Sequence, residues 1–145
     1  MAKQSFANHI RFYTPHHFIF YPLLLIAMGS SIGAYKHHPD QQNIWLAIIF
    51  LQILLGWSSF MMRQHYGLKN QDRIIRLELR FRYFVITGER LEPLEAKLKL
   101  SQLLALRFAS DEELVELIQR AHRENLSARD IKKSIHSWLP DHMRV

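Results

Sequence analysis

Two stretches without a charged residue, Phe18 to Tyr35 and Ile44 to Met62, stand eight residues apart near the start of the chain. As helices, each is long enough to cross a hydrocarbon layer about 30 Å thick, which takes roughly 20 apolar residues. Beyond Met62 the pattern changes. Ile75, Leu77, Leu79, Phe81 and Tyr83 alternate with Arg76, Glu78, Arg80 and Arg82, which on pattern alone fits a strand. No second strand candidate exists to pair with it. On a helix, Lys69, Arg73, Arg76 and Arg80 fall on one stripe and Glu78 precedes Arg82 at the favourable i,i+4 spacing. The segment is therefore predicted as a helix that continues from the second apolar run after a break near Gly67.

From Thr87-Gly88, whose glycine suits a helix stop, short amphipathic pieces follow, each with a start signal. Glu92-Pro93 opens one, and Ser101 precedes Leu103, Leu104, Leu106 and Phe108. Ser110 with Glu113 has the form of a capping box before Leu114, Leu117, Ile118 and Ala121; Ser127 with Asp130 offers the same before Ile131, Ile135 and Trp138. The expected fold is all-α: a transmembrane helical hairpin, then a juxtamembrane helix and a small cytoplasmic helical module. Its segments are an N-terminal stretch 1–14, spans 15–35 and 44–62 around an external loop 36–43, a basic helix 63–87 and the module 88–145.

Charge assigns the sides. The net charge of +6 is not spread evenly: residues 1–62 hold Lys3, Arg11 and Lys36 against Asp40, and residues 63–87 hold six cations against Asp72 and Glu78. From Gly88 onward there are ten of each sign. Six Lys and Arg thus follow the second span within 20 residues, two precede the first, and one lies in the loop. The positive-inside rule then places both termini in the cytoplasm. The stripe Lys69, Arg73, Arg76 and Arg80 would contact anionic head groups, each cation contributing roughly 1 kcal/mol. Ser31-Ile32-Gly33 has the small residues of a signal-peptide cleavage site, but the long aromatic stretch with Phe6, Ile10, Phe12 and Tyr13 before the apolar run argues against cleavage.

Within the hairpin, Thr14-Pro15 suits a helix start, with a hydroxyl to accept an orphan N–H and a proline where no donor is needed. Pro22 cannot donate to the carbonyl of Phe18, so a kink is expected near it. Gly29 and Gly33 form a G-x-x-x-G pair that permits close helix approach in lipid. Gly33 matches the depth of Ala47 on the second helix, and packing of the hairpin is the simpler use of this seam, dimerisation the sharper one. Gln52, with Gly56 one turn along, should face protein, because an amide in hydrocarbon is costly unless it hydrogen-bonds.

The candidate chemistry is sparse. The absence of cysteine removes disulfides, thiolate metal sites and cysteine nucleophiles. Of nine histidines, His16, His17 and His65 could converge at one end of the hairpin. No carboxylate accompanies them at ligand spacing, and interfacial packing beside aromatic residues is the simpler account, so no metal and no cofactor is expected. Glu112-Glu113 and Asp141-His142 are local acid/base adjacencies without a positioned third group, and no phosphate loop or nucleophile elbow occurs, so no catalytic residue is assigned. The last two helices resemble a helix-turn-helix with Arg129, Lys132 and Lys133 exposed. The neutral module lacks a DNA binder's charge, so no nucleic acid is expected.

Three stretches carry a family resemblance: Asn8-His9-Ile10-Arg11-Phe12-Tyr13-Thr14-Pro15-His16-His17-Phe18, Asn70-Gln71-Asp72-Arg73-Ile74-Ile75-Arg76-Leu77-Glu78, and Leu106-Arg107-Phe108-Ala109-Ser110-Asp111-Glu112-Glu113-Leu114. Over its whole length the chain resembles a family of small two-span bacterial membrane proteins of unknown function, found largely in Bacteroidota. The resemblance implies a bacterial inner membrane and carries no catalytic residues with it. The expected role is a non-enzymatic anchor or accessory subunit that binds a protein partner or a second copy of itself. The alternatives are a small transporter or channel subunit, and a membrane-bound metal-dependent enzyme or sensor.

Overall fold

A computed structural model of the chain describes residues 4–9 and 12–141. These form two compact units, one of residues 12–68 and one of residues 4–9 with 69–141. Lys3, Ile10, Arg11 and His142, which enter the sequence reading, lie outside the described residues. Among the described residues the chain is all-helical, with no strand beyond a single antiparallel bridge between Ala109 and Trp138.

The first unit is a pair of helices. Pro15 stands at the first helical position as its fixed φ favours, but the Thr14 hydroxyl makes no capping bond. Where Pro22 deprives the Phe18 carbonyl of a donor, the backbone takes a wide π-helical form over Pro15–Phe20, and the Tyr21 N–H reaches the His16 carbonyl five residues back. Wide turns of this kind absorb a disrupted i→i−4 ladder. Helix α1 (Tyr21–His37) follows, then a single tight turn at Pro39–Gln41, then α2 (Gln42–Met61). Helical backbone is continuous over Pro15–His37 and Pro39–Thr87, and both helices are long and apolar enough to cross a membrane. In their most apolar stretches only 6% and 0% of residues are buried. The core helix of a water-soluble fold passes the same length and composition test, but with most of its side chains buried.

Instead of a break near Gly67, the backbone widens to a π-helical form over Met62–Leu68 and passes into α3 (Lys69–Thr87). Helix α3 resolves the alternation seen at residues 75–83. Ile75, Leu79 and Tyr83, four residues apart, are buried while Leu77 and Phe81 between them are exposed. That is the period of a helix and not of a strand. Gly88 ends α3 at φ +72°, donating to the Phe84 carbonyl at 2.8 Å.

Four short helices complete the second unit: α4 (Glu92–Glu95), α5 (Leu100–Leu106), α6 (Asp111–Arg123) and α7 (Ala128–Ser134). Leu79, Leu91, Leu106, Phe108, Leu114, Ile118 and Ile131 are fully enclosed and form the core. Helix α5 starts one residue before Ser101, and its first turn is tied by Gln102, whose Oε1 accepts the Lys99 N–H at 2.7 Å. The Ser127 hydroxyl caps α7 by accepting from the Asp130 N–H at 3.2 Å. Ser110 starts α6 without a side-chain cap, and the reciprocal half of the capping box is missing too, since the Glu113 carboxylate accepts the N–H groups of His136 and Ser137, each at 3.1 Å. Helix α6 ends at Arg123, and the left-handed φ of 46° at Asn125 lets the Leu126 N–H return to the Ala121 carbonyl at 3.2 Å. Helix α7 stops at Ser134, short of Trp138. The chain after it runs extended beside residues 108–110, with Leu139 N–H on the Phe108 carbonyl and Ser110 N–H on the Ser137 carbonyl.

Arg82 locks α3 to the α5–α6 connection. Its guanidinium donates to Asp111 Oδ1 at 2.8 Å, the Arg107 carbonyl at 3.2 Å and the Ala109 carbonyl at 2.6 Å. The i,i+4 partner read from the sequence, Glu78, is therefore not the one Arg82 uses. Arg82→Lys, which cannot reproduce a three-way fork, is expected to lower stability by about 1–3 kcal/mol, read as a fall in the chemical-denaturation midpoint of the detergent-solubilised chain.

Candidate functional site

Three constellations carry the polar residues that are not explained by helix formation alone. The first joins α1 and α2. Ser31, 4% exposed, donates to the Ala27 carbonyl at 2.9 Å and accepts from Gln52 Nε2 at 3.1 Å. Gln52 thus turns its Nε2 toward protein, which offsets part of the cost of an amide in an apolar solvent, while its Oε1 is enclosed without a hydrogen-bond partner among the described residues. Of the small residues singled out in the sequence, Gly56 is the one at a close contact: a Cβ there would stand 3.1 Å from the Leu24 side chain. A Cβ at Gly29 or Gly33 would meet nothing within 4 Å, and Ala47 is exposed. The close approach available to the G-x-x-x-G pair is therefore not used between α1 and α2, whose contact runs through Leu24, Ser31, Gln52 and Gly56 instead. Gly56→Leu is expected to destabilise the helix pair by about 1–3 kcal/mol through overpacking, whereas Gly29→Leu leaves it unchanged; thermal unfolding in detergent followed by helicity separates the two.

Of the histidines expected at one end of the hairpin, His16 and His17 serve as aromatic packing. The His16 ring stacks on Phe20 and meets Tyr21 edge-on with centroids 4.7 Å apart, and His17 Nδ1 is 3.0 Å from the Tyr13 carbonyl. His65 lies in the π-helical stretch Met62–Leu68. Among the described residues no group of three or more His, Asp or Glu is placed to hold a metal ion.

The second constellation centres on Glu95. Its carboxylate is 5% exposed, and both oxygens are taken by the basic stripe: Arg76 Nε donates to Oε1 and Arg80 Nε to Oε2, each at 2.5 Å. Burial by itself would raise the Glu95 pKa, but hydrogen bonds from Arg80 and Arg76 outweigh it and hold the carboxyl below the ordinary range. Arg80 is raised in turn, chiefly by the hydrogen bond to Glu95. Two of the four cations assigned to head groups are therefore engaged within the chain. Lys69 and Arg73, nearer the apolar helix in sequence, are exposed. Sequence reasoning did not find Glu95, because four-residue helix α4 gives no periodicity that would orient it.

The third constellation brings the two ends of the chain together. Gln4, 4% exposed, accepts from the Asp141 N–H at 2.7 Å through Oε1 and donates to the Asp141 carbonyl at 3.2 Å through Nε2. Next to it Phe108 stacks on Trp138 with centroids 4.6 Å apart, Arg107 lies 4.3 Å above the Phe108 ring, and His9 meets that ring edge-on. Lys132 Nζ is 3.0 Å from His9 Nε2 and half-buried, so of the cations expected to be exposed on the last helix it is the one turned inward. Arg107 also pairs with Asp141 at 3.1 Å. A cavity of about 400 Å³ opens here between Phe6, Lys132, Ile135 and Trp138. Glu112 and Glu113 do not form an acid/base pair: Glu113 accepts two backbone N–H groups.

The architecture is that of an all-helical chain in which two helices suited to a membrane join a small folded unit. The chain belongs to a family of unknown function (DUF6526), whose pattern it matches over residues 1–145. No curated protein and no solved structure matches it.

Proposed function

We propose that the chain is a two-span protein of the bacterial inner membrane with both termini in the cytoplasm, acting as a non-enzymatic anchor or accessory subunit whose helical module binds a protein partner. The observation that carries this is the docking of Gln4 on Asp141. Residues before the first apolar helix and residues after the second fold as one unit, so both lie on one side of any bilayer those helices cross. An even number of crossings follows. The excess of cations just after the second helix selects the cytoplasmic side, and Lys69, the first residue of α3, is assigned to anionic head groups. A partner-binding role is supported by the exposed apolar side chains of the folded unit, among them Leu77, Phe81 and Phe84, since exposed apolar surface that the chain's own core does not use marks interaction sites.

The test has two parts. Topology reporters fused at residue 40 and at the C-terminus are expected to report opposite sides, with the chain resistant to carbonate extraction; the same side for both, or release by carbonate, overturns the two-span arrangement. Capture in mild detergent followed by mass spectrometry is expected to recover a cytoplasmic protein or further copies of the chain. Co-purification with a multi-span permease in fixed ratio would replace the anchor by a transporter subunit.

A further inference from the structure

Helix α3 uses only one of its faces to build the folded unit. The opposite face carries Ile74, Leu77, Phe81 and Phe84, which are 53–69% exposed. Their spacing is three, four, three, the a, d, a, d positions of a heptad repeat, and it lies opposite the buried Ile75, Leu79 and Tyr83. A ridge with this spacing on a regular helix fits another helix with the same ridge, knobs into holes.

We propose that α3 pairs with α3 of a second copy of this chain as a short parallel two-stranded coiled coil along Ile74, Leu77, Phe81 and Phe84. This deepens the partner-binding role above and rests on the two-span membrane arrangement, because two copies inserted with the same topology present α3 in the same direction. The residues bordering the ridge specify the occupant. With Ile74 at a, Arg73 occupies g and Glu78 occupies e, and in a parallel pair a g residue faces the e residue five positions on in the other strand. Arg73 of each copy therefore meets Glu78 of the other, twice by symmetry. Among the described residues neither makes an ion pair within its own chain. An antiparallel pair would instead set g against g, bringing Arg73 and Arg80 together. Ile74 at a with Leu77 at d is also the combination that favours two parallel strands. A bilayer surface fits less well: a helix lying in the interface is bordered by cations, and here Lys69, Arg73, Arg76 and Arg80 all stand on one border while the acidic Glu78 stands on the other. Two heptads are short for association in water, but confinement of both copies to one membrane raises their effective concentration.

The chain has no cysteine, so single-cysteine variants need no altered background. Leu77→Cys and Phe84→Cys, both exposed and outside the core, are oxidised with copper phenanthroline in the carbonate-resistant membrane fraction, with Arg90→Cys, an exposed position off the ridge, as the control for random collision. Leu77→Cys and Phe84→Cys are expected to yield a cross-linked dimer on a non-reducing gel, and Arg90→Cys is not. Adding Arg73→Glu or Glu78→Arg to Leu77→Cys should lower the yield about fivefold, and the double swap should restore it. Equal yields at all three positions, or no cross-link, overturn the pairing, and an unchanged yield on the single swaps overturns the parallel register. A dye on the L77C variant that shifts to the blue with anionic vesicles, without any cross-link, assigns the ridge to lipid and also overturns it. Loss of the chain from the carbonate-resistant fraction overturns the membrane arrangement itself, whereas retention without cross-linking overturns only the pairing. An unaltered protease digestion pattern confirms that each variant is folded.

Discussion

Phe108→Ala is expected to destabilise the folded unit by about 3–5 kcal/mol, the range for deleting a fully enclosed aromatic ring. Phe108 is 1% exposed, stacks on Trp138 and lies beneath the Arg107 guanidinium. Alanine keeps the backbone bond from Leu139 but removes the surface on which Trp138 and His9 rest. The N-terminal residues are then held chiefly through Gln4, itself bonded to Asp141 and within 3.5 Å of Trp138 Nε1. Two readouts follow: a lower thermal midpoint in detergent, and faster proteolysis near the N-terminus than in the rest of the chain. Phe108→Leu fills most of the volume and should cost less, about 1–2 kcal/mol. If both variants behave alike, the stack on Trp138 contributes nothing beyond filled space. A unit of this size is close to the lower limit at which one core suffices, so the larger loss is a substantial part of what holds it folded.

Glu95→Gln is expected to destabilise the same unit by about 1–3 kcal/mol. Removing one member of a buried pair strands the other's charge. Here Arg76 and Arg80 keep 43% and 34% of their side chains in water, which moderates the loss. The two arginines are also left one turn apart without their shared counter-ion, a like-charge pair on one helix face. The pH dependence gives an independent check. Because the folded-state pKa of Glu95 lies below its ordinary value of 4.5, its contribution is complete above that value and is lost as pH falls through the lower folded value. Wild-type unfolding should therefore become easier with acidification below about pH 4.5, and the variant should lose that part of the dependence. An unchanged acid limb in Glu95→Gln would show that other carboxylates govern it.

Part of this structure was legible in local pattern. The two uncharged runs gave the two long apolar helices because length and composition alone decide whether a segment can cross a bilayer. Gly88 and Ser127 were legible for a similar reason: a left-handed φ and a hydroxyl at an N-cap are satisfied within a few residues. Thr14 and Ser110 do not cap through their side chains. The wide turn at Pro15–Phe20 begins the helix without the Thr14 hydroxyl, and Glu113 was drawn away by the backbone N–H groups of His136 and Ser137, 23 and 24 residues on. The small-residue motif misled for a related reason. G-x-x-x-G states that a close approach is possible, but the close contact of α2 with α1 falls at Gly56 against Leu24 and the polar one at Gln52 with Ser31.

By itself the sequence determined the helical character, the two apolar helices and the side on which positive charge accumulates, because each depends on composition and spacing within a few turns. Only the tertiary structure decided that Gln4 rests on Asp141, that Glu95 takes both Arg76 and Arg80, and that α3 buries Ile75, Leu79 and Tyr83 while leaving Ile74, Leu77, Phe81 and Phe84 outward. Those choices depend on which groups, distant along the chain, compete best for each donor and each apolar face, and no local spacing encodes the outcome of that competition.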